Sequence, residues 1–207
     1  LVLVHALNPY GFAWIRRVNE DNVDLNRNFV DHEGGNYPEN DMFDELVGGI
    51  LPTSLDEETV QACRVVIAAA EEKYGEVPVR KASAKGQYRF PESMAFGGTH
   101  ATWSNVTLHE ICIEQCVDAR TAALIDLHSG LGPYGYGELM TPSKPGEDIY
   151  DRFHGWYGEQ VHSTTAGTSD YAGSKGSILA GFRPPVGNST IFSSLGVEFG
   201  TIDRPQV

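Results

Sequence analysis

The sequence has no hydrophobic run of the roughly 20 residues needed to cross a bilayer, and it has little positive charge. Its 15 lysine and arginine residues stand against 28 aspartate and glutamate residues, which gives a formal net charge of −13. Such an excess of negative charge repels phosphate backbones and anionic headgroups. The composition therefore argues against a nucleic acid or a membrane as partner.

Cysteine is also scarce, since Cys63, Cys112 and Cys116 are the only three. An odd and small number excludes a disulfide scaffold and favours a reducing compartment, so the sequence predicts a cytoplasmic protein. The chain has no initiator Met and opens with "LVLVHALNPYGF", which is typical of a buried strand that runs into a turn at Asn8, Pro9 and Gly11. We therefore expect a fragment that is incomplete at its N-terminus, with any targeting segment upstream.

What is present indicates one globular domain over residues 1–207. Hydrophobic residues make up 41% of the chain and aromatic residues 10%, enough for a sizeable core. Strand-like and helix-like stretches alternate without internal repeats or a low-complexity linker. This order is typical of the α/β class.

Helices are predicted from capping signals and periodicity. The spacing of Ser54 and Glu57 is that of a capping box, and Gly75 is suited to end the helix that follows. Two more helices are predicted over 104–118 and 147–162. The apolar runs 122–129 and 195–199 predict buried strands.

Each of these two strands ends in a polar residue that a core strand would not favour, His128 in one and Glu198 in the other. Catalytic side chains of α/β proteins tend to lie at the carboxyl ends of strands. Taken alone, a histidine such as His128 is more often a hydrogen-bonded structural residue than a ligand, and a glutamate at a strand end is more often a surface group.

Five segments in this order resemble the zinc carboxypeptidase family. They are "NPYGF" at 8–12, "RVN" at 17–19, "VDLNRNF" at 23–29, "LIDLHS" at 124–129 and "VEFGT" at 197–201. "GQY" at 86–88, "FGGT" at 96–99 and "WSN" at 103–105 make the chain most similar to a bacterial branch of unknown substrate. The resemblance implies a three-layer α/β/α sandwich around a mixed sheet.

The resemblance also implies one zinc ion, held by an H-x-x-E motif and by a histidine on a later strand. His128 matches the later histidine. The sequence contains no H-x-x-E, so we expect the other two ligands upstream of residue 1 in the full protein.

The remaining roles implied by the resemblance are catalytic and substrate-binding. Glu198 matches the general base and acid, and Arg17 matches the arginine that polarises the scissile carbonyl. Asn26 and Arg27 match the pair that binds the terminal carboxylate of the substrate. The alternation of Val23, Leu25 and Phe29 favours burial of the segment around Arg27. We expect the planar guanidinium of Arg27 to meet a substrate rather than a permanent partner.

Two further residues complete the implied site. Asp24 matches the aspartate that orients the first zinc histidine through its other ring nitrogen. Tyr171 is a candidate for a mobile tyrosine that closes over the substrate, with Tyr134 and Tyr136 as alternatives.

These features predict a zinc-dependent hydrolase that cleaves an amide or peptide bond next to a free C-terminal carboxylate. Its substrate would be a peptide or an N-acyl amino acid. The alternatives are an N-acyl-amino-acid deacylase on the same fold and a catalytically inactive binding protein.

Two other motifs suggest different chemistry. His109, Cys112 and Cys116 share one face of a predicted helix, which suits a structural metal site but also ordinary core packing. "GLGPYG" at 130–135 has the form of a dinucleotide-binding loop, which needs a helix to begin there. Pro133 and Gly135 argue against that helix.

Overall fold

The computed structural model describes residues 1–169, 173–184 and 190–201. It divides the chain into two compact units. The first unit, called the helical unit, comprises Leu1–Leu108 and Ser174–Gly181. The second, called the sheet unit, comprises His109–Gly173 and Phe182–Val207. None of the helices within the described ranges has the length and apolar character that a membrane crossing requires.

The described residues form seven α-helices and four β-strands. In chain order these are α1 (Pro9–Trp14), α2 (Asp41–Ile50), α3 (Glu57–Tyr74), α4 (Glu76–Lys85), α5 (Trp103–Cys116), β1 (Thr121–Tyr134), β2 (Gly137–Thr141), α6 (Asp148–Tyr157), β3 (Val161–Ser163), α7 (Ile178–Gly181) and β4 (Ile191–Gly200). Short 3-10 helices cover Leu25–Arg27 and Gly158–Gln160.

The helical unit has its core between α2, α3 and α4. Leu46, Ala70, Val79 and Ala82 pack together there. The helix predicted after Ser54 is α3, and it ends at Gly75 as predicted. Its N-cap is Asp56, whose side chain accepts a hydrogen bond from the Thr59 N–H at 2.8 Å, so the predicted capping box is wrong.

The opening segment does not form the predicted strand. Residues 1–4 have no regular structure and are exposed. A strand buries its backbone groups only when a neighbouring strand pairs with them, and residues 1–4 have no such pairing within the described ranges. The turn predicted at Asn8 and Pro9 opens helix α1 instead, with the Asn8 side chain accepting from the Gly11 N–H at 2.9 Å.

The sheet unit contains a mixed four-stranded sheet of order β1-β4-β2-β3. Strand β4 runs parallel to β1 and antiparallel to β2, and β2 runs parallel to β3. The α/β class and the presence of strands over 122–129 and 195–199 are confirmed. Strand β1 is not the predicted buried strand, because none of its residues is buried, and it continues to Tyr134, so His128 does not lie at its end. The helix predicted over 147–162 is shorter, since α6 ends at Tyr157 and β3 follows.

The two faces of this sheet have different neighbours. On one face Leu195 of β4 and Val161 of β3 pack against Phe153 of α6. Residues an odd number of positions from Leu195 along β4 point to the other face. There Phe192 contacts Phe182, with ring centroids 6.2 Å apart.

Candidate functional site: two clusters of polar side chains

Arg17 and Asp24 lie together in the helical unit. The Asp24 carboxylate accepts from Arg17 Nε at 2.8 Å and from the Asn26 N–H at 2.9 Å, and the second bond caps the 3-10 turn Leu25–Arg27. Asp24 is buried, whereas the Arg17 side chain is 64% exposed. The carboxylate is thus held between a guanidinium and a backbone amide.

Arg27 has permanent backbone partners, so the expectation that it lacks one is wrong. It is 3% exposed. Its Nε donates to the Ala84 carbonyl at 3.1 Å, its Nη2 donates to the same oxygen, and its Nη1 donates to the Asn26 carbonyl at 2.6 Å. Ala84 lies in the last turn of α4, where unpaired carbonyls carry partial negative charge and favour a cation.

Asn26 is also engaged in the fold. Its Oδ1 accepts from the backbone N–H of Ile178, the first residue of α7, at 3.0 Å. Both members of the predicted carboxylate-binding pair therefore hold backbone groups of other segments. Their proposed contact with substrate stays a prediction.

Asn28 is a buried hydrogen-bonding centre that the sequence analysis missed. Its Nδ2 donates to the carbonyls of Gly97 and His100 at 2.8 and 2.9 Å. Its Oδ1 accepts from the Thr102 N–H at 2.9 Å, and the Asn105 side chain donates to its carbonyl at 2.9 Å. The joint presence of "VDLNRNF", "FGGT" and "WSN" was the available signal, since these bonds join all three segments.

The second cluster is a row of polar residues across the sheet unit. His128 of β1 is the register partner of Glu198 of β4, and Glu138 of β2 is directly opposite Glu198. Register partners point to the same sheet face, so the three side chains form a row. Glu138 and Glu198 are buried, at 5% and 6% exposure, and the Leu131 N–H donates to Glu198 Oε1 at 3.1 Å.

Asp126 accompanies His128 at one end of this row. The Nε2 atom of His128 lies 2.5 Å from a carboxylate oxygen of Asp126. Alternate residues of a strand share a face, so the spacing of the two in "DLHS" was a usable signal that the sequence analysis missed.

Glu138 and His162 form a second carboxylate–histidine pair at the other end. The Nδ1 atom of His162 lies 2.9 Å from Glu138 Oε1. His162 is the register partner of Met140, two residues beyond Glu138 on β2. Neither residue is evident from the sequence, because no local pattern predicts β2 or β3.

The helix face that carries His109, Cys112 and Cys116 is half-buried. Burial raises the pKa of Cys112 to about 11 and lowers the pKa of His109. The His109 ring packs edge-on against Phe182, with centroids 4.7 Å apart. Burial therefore disfavours the thiolate that a metal would require.

The other predicted features have separate outcomes. Across the described part of the chain, no group of three or more His, Cys, Asp or Glu side chains is placed to hold a metal ion. Tyr171 lies outside the described residues, and Tyr134 and Tyr136 are exposed. Strand β1 continues through 130–134, so no helix begins in the "GLGPYG" loop.

A protein family is identified by comparison of the sequence with family models. The model described as "Protein of unknown function (DUF2817)" matches residues 1–207, and the chain therefore belongs to this family. No curated protein and no solved structure matches the chain.

Proposed function

We propose that this member of the DUF2817 family is a zinc-dependent hydrolase that cleaves an amide or peptide bond next to a free carboxylate. The observation that carries the proposal is the register pairing of Glu198 with His128. It puts a buried carboxylate beside the histidine that resembles a zinc ligand. The fixed sheet geometry suits a proton-transfer group, because it keeps the carboxylate in one orientation.

Glu198 is the proton-transfer residue of the proposed reaction. It takes a proton from the attacking water and delivers it to the leaving amine. The Leu131 N–H donates to Oε1 and orients the carboxylate. The low exposure of the Glu198 side chain keeps bulk water away from the proton transfer.

His128 has the properties of one zinc ligand. The contact with Asp126 orients the ring through Nε2, as carboxylates do for metal-bound histidines. A catalytic zinc takes about three protein ligands, and the described residues supply this one. The resemblance assigns the other two to an H-x-x-E motif, which these 207 residues do not contain. The bound ion would polarise the scissile carbonyl.

The proposed substrate-binding residues are Arg17, Asn26 and Arg27. Arg17 is the more exposed of the two guanidiniums, and Asp24 holds its Nε. In the proposed roles Arg17 polarises the scissile carbonyl, and Arg27 with Asn26 binds the substrate carboxylate. Arg27 would share its guanidinium between that carboxylate and the carbonyls that hold it.

The three-layer α/β/α arrangement is part of the same proposal. Its support is the difference between the two sheet faces. Leu195 packs towards α6, whereas Phe192 points to the other face and contacts Phe182, which in turn contacts His109 of α5.

The test uses the zinc-loaded protein that contains this chain together with its remaining ligands. Glu198→Gln should retain the zinc and lower kcat by about 100- to 10,000-fold, because it removes the proton carrier but no ligand. Glu159→Gln, at a side chain that is 98% exposed, is the matched control. Near-normal turnover in Glu198→Gln would remove this residue from the mechanism.

The same assay separates the two substrate classes. Peptides with a free C-terminus and N-acyl amino acids are compared at matched side chains, and the higher kcat/KM identifies the class. Absence of hydrolysis of either class by the zinc-loaded protein would reject the proposed function.

A further inference from the structure

We infer that Glu138 is a specificity-determining residue, which selects substrates with an ammonium or guanidinium group close to the scissile bond. The inference rests on the proposed function of the site around Glu198. It concerns a carboxylate that the proposed mechanism does not use.

Glu138 lies next to the proposed proton-transfer residue Glu198. Glu138 and Glu198 are directly opposite each other on antiparallel strands and point to the same face. The Cβ atoms of such partners lie about 4.5–5.5 Å apart. A substrate bond that reaches Glu198 therefore brings its nearest side chain within reach of Glu138.

Glu138 and Glu198 bring two carboxylates together in a buried place. Like charges directly opposite on neighbouring strands destabilise a sheet, and Glu138 and Glu198 are both nearly inaccessible to water. Weak screening also makes each charge act more strongly on a bound molecule. The two carboxylates would attract a cationic group of the substrate and repel an anionic one.

The His162 ring orients the Glu138 carboxylate. The Nδ1 contact at 2.9 Å holds one carboxylate oxygen, and the His162 side chain is 33% exposed. This end of the row therefore reaches the protein surface. The pair differs from His154 and Glu159, whose glutamate is 98% exposed and whose contact is 3.3 Å long.

The experiment compares substrates that differ only in charge. The zinc-loaded protein is given two series of substrates, with lysine, norleucine or glutamate on either side of the scissile bond. In one series we expect kcat/KM for lysine to exceed that for norleucine by roughly 10- to 100-fold, with glutamate the poorest. Glu138→Gln should remove most of this preference, and Glu159→Gln should retain it.

Binding of products separates this inference from the proposed function. Calorimetry measures the affinity of free lysine and of norleucine for the wild type and for Glu138→Gln. If the wild type prefers lysine and Glu138→Gln loses this preference, the inference is supported even when no hydrolysis is seen. Absence of hydrolysis would reject only the proposed hydrolase function.

Hydrolysis without charge preference in either series would overturn the inference and leave the hydrolase standing. If no hydrolysis occurs, equal binding of lysine and norleucine to the wild type, or binding of neither, would also overturn the inference. The wild-type comparison decides the matter if Glu138→Gln does not fold.

Discussion

The Arg27 guanidinium donates to the Ala84 carbonyl in the last turn of α4, with Nε 3.1 Å from the oxygen. This part-buried contact joins the "VDLNRNF" segment to a helix 57 residues further along the chain. Arg27 consequently has a structural role, whatever its part in substrate binding. The two roles have different experimental signatures.

Arg27→Ala should lower the free energy of unfolding by about 2–4 kcal/mol, because the part-buried Ala84 and Asn26 carbonyls lose charged donors and the buried Arg27 side chain leaves a cavity. Urea unfolding followed by circular dichroism measures the change. Arg64→Ala, on an exposed position of α3, is the control and should change stability by less than about 0.5 kcal/mol. A stability equal to that of the control would mean that the contact contributes little.

Arg27→Lys tests the substrate role, since it retains a positive charge but loses the planar fork. We expect a loss of roughly thirtyfold to a thousandfold in kcat/KM on substrates with a free carboxylate, and a much smaller loss on their amidated analogues. Steady-state kinetics on matched pairs of substrates measures both losses. Equal losses would show that Arg27 acts only through the fold.

Asn28→Asp should destabilise the helical unit by about 2–4 kcal/mol although the two side chains have nearly the same shape. The carboxylate cannot donate to the Gly97 and His100 carbonyls, and it places a charge beside them. Chemical unfolding measures the loss, and Asn36→Asp at an exposed position is the control. Wild-type stability of Asn28→Asp would contradict the assigned hydrogen-bonding pattern.

Zinc affinity tests the assignment of His128. We expect residues 1–207 alone to bind zinc no more tightly than about micromolar, since one ligand cannot hold the ion. In the protein with all ligands, His128→Ala should release zinc, and Asp126→Asn should weaken binding by about 10- to 100-fold. Zinc stoichiometry by atomic absorption, with Cys112→Ala as control, measures these effects. Tight zinc binding that survives His128→Ala would reject the assignment.

The reactivity of Cys112 tests the apolar character of the α5 face. Burial raises its pKa from 9.0 to about 11, so the thiol stays protonated at neutral pH. The folded state thus favours the thiol, and this contribution to stability is lost as the pH rises from about 9 to 11. In a Cys63→Ala variant, with the modified cysteine identified by tandem mass spectrometry, we expect alkylation of Cys112 at pH 7.5 to be roughly 100-fold slower than after unfolding. Equal rates would indicate a reactive thiol.

Local sequence patterns predicted the parts of the fold that depend on short stretches. Helix α3 follows from its periodicity and from Gly75, and β1 and β4 follow from two apolar runs. The prediction failed where two local signals competed, as at the start of α3, where Asp56 rather than Ser54 is the cap. It also failed at residues 1–4, because strand propensity alone does not supply a partner strand.

The sequence by itself therefore determined the α/β class and identified His128 and Glu198 as polar residues in two apolar runs that form strands. Only the tertiary structure decided which side chains meet. The bonds between Arg27 and Ala84, between Asn28 and Thr102, and the row that adds Glu138 to Glu198 all join segments far apart in the chain. Strand register and helix packing create such contacts, and neither leaves a periodic pattern in a single sequence.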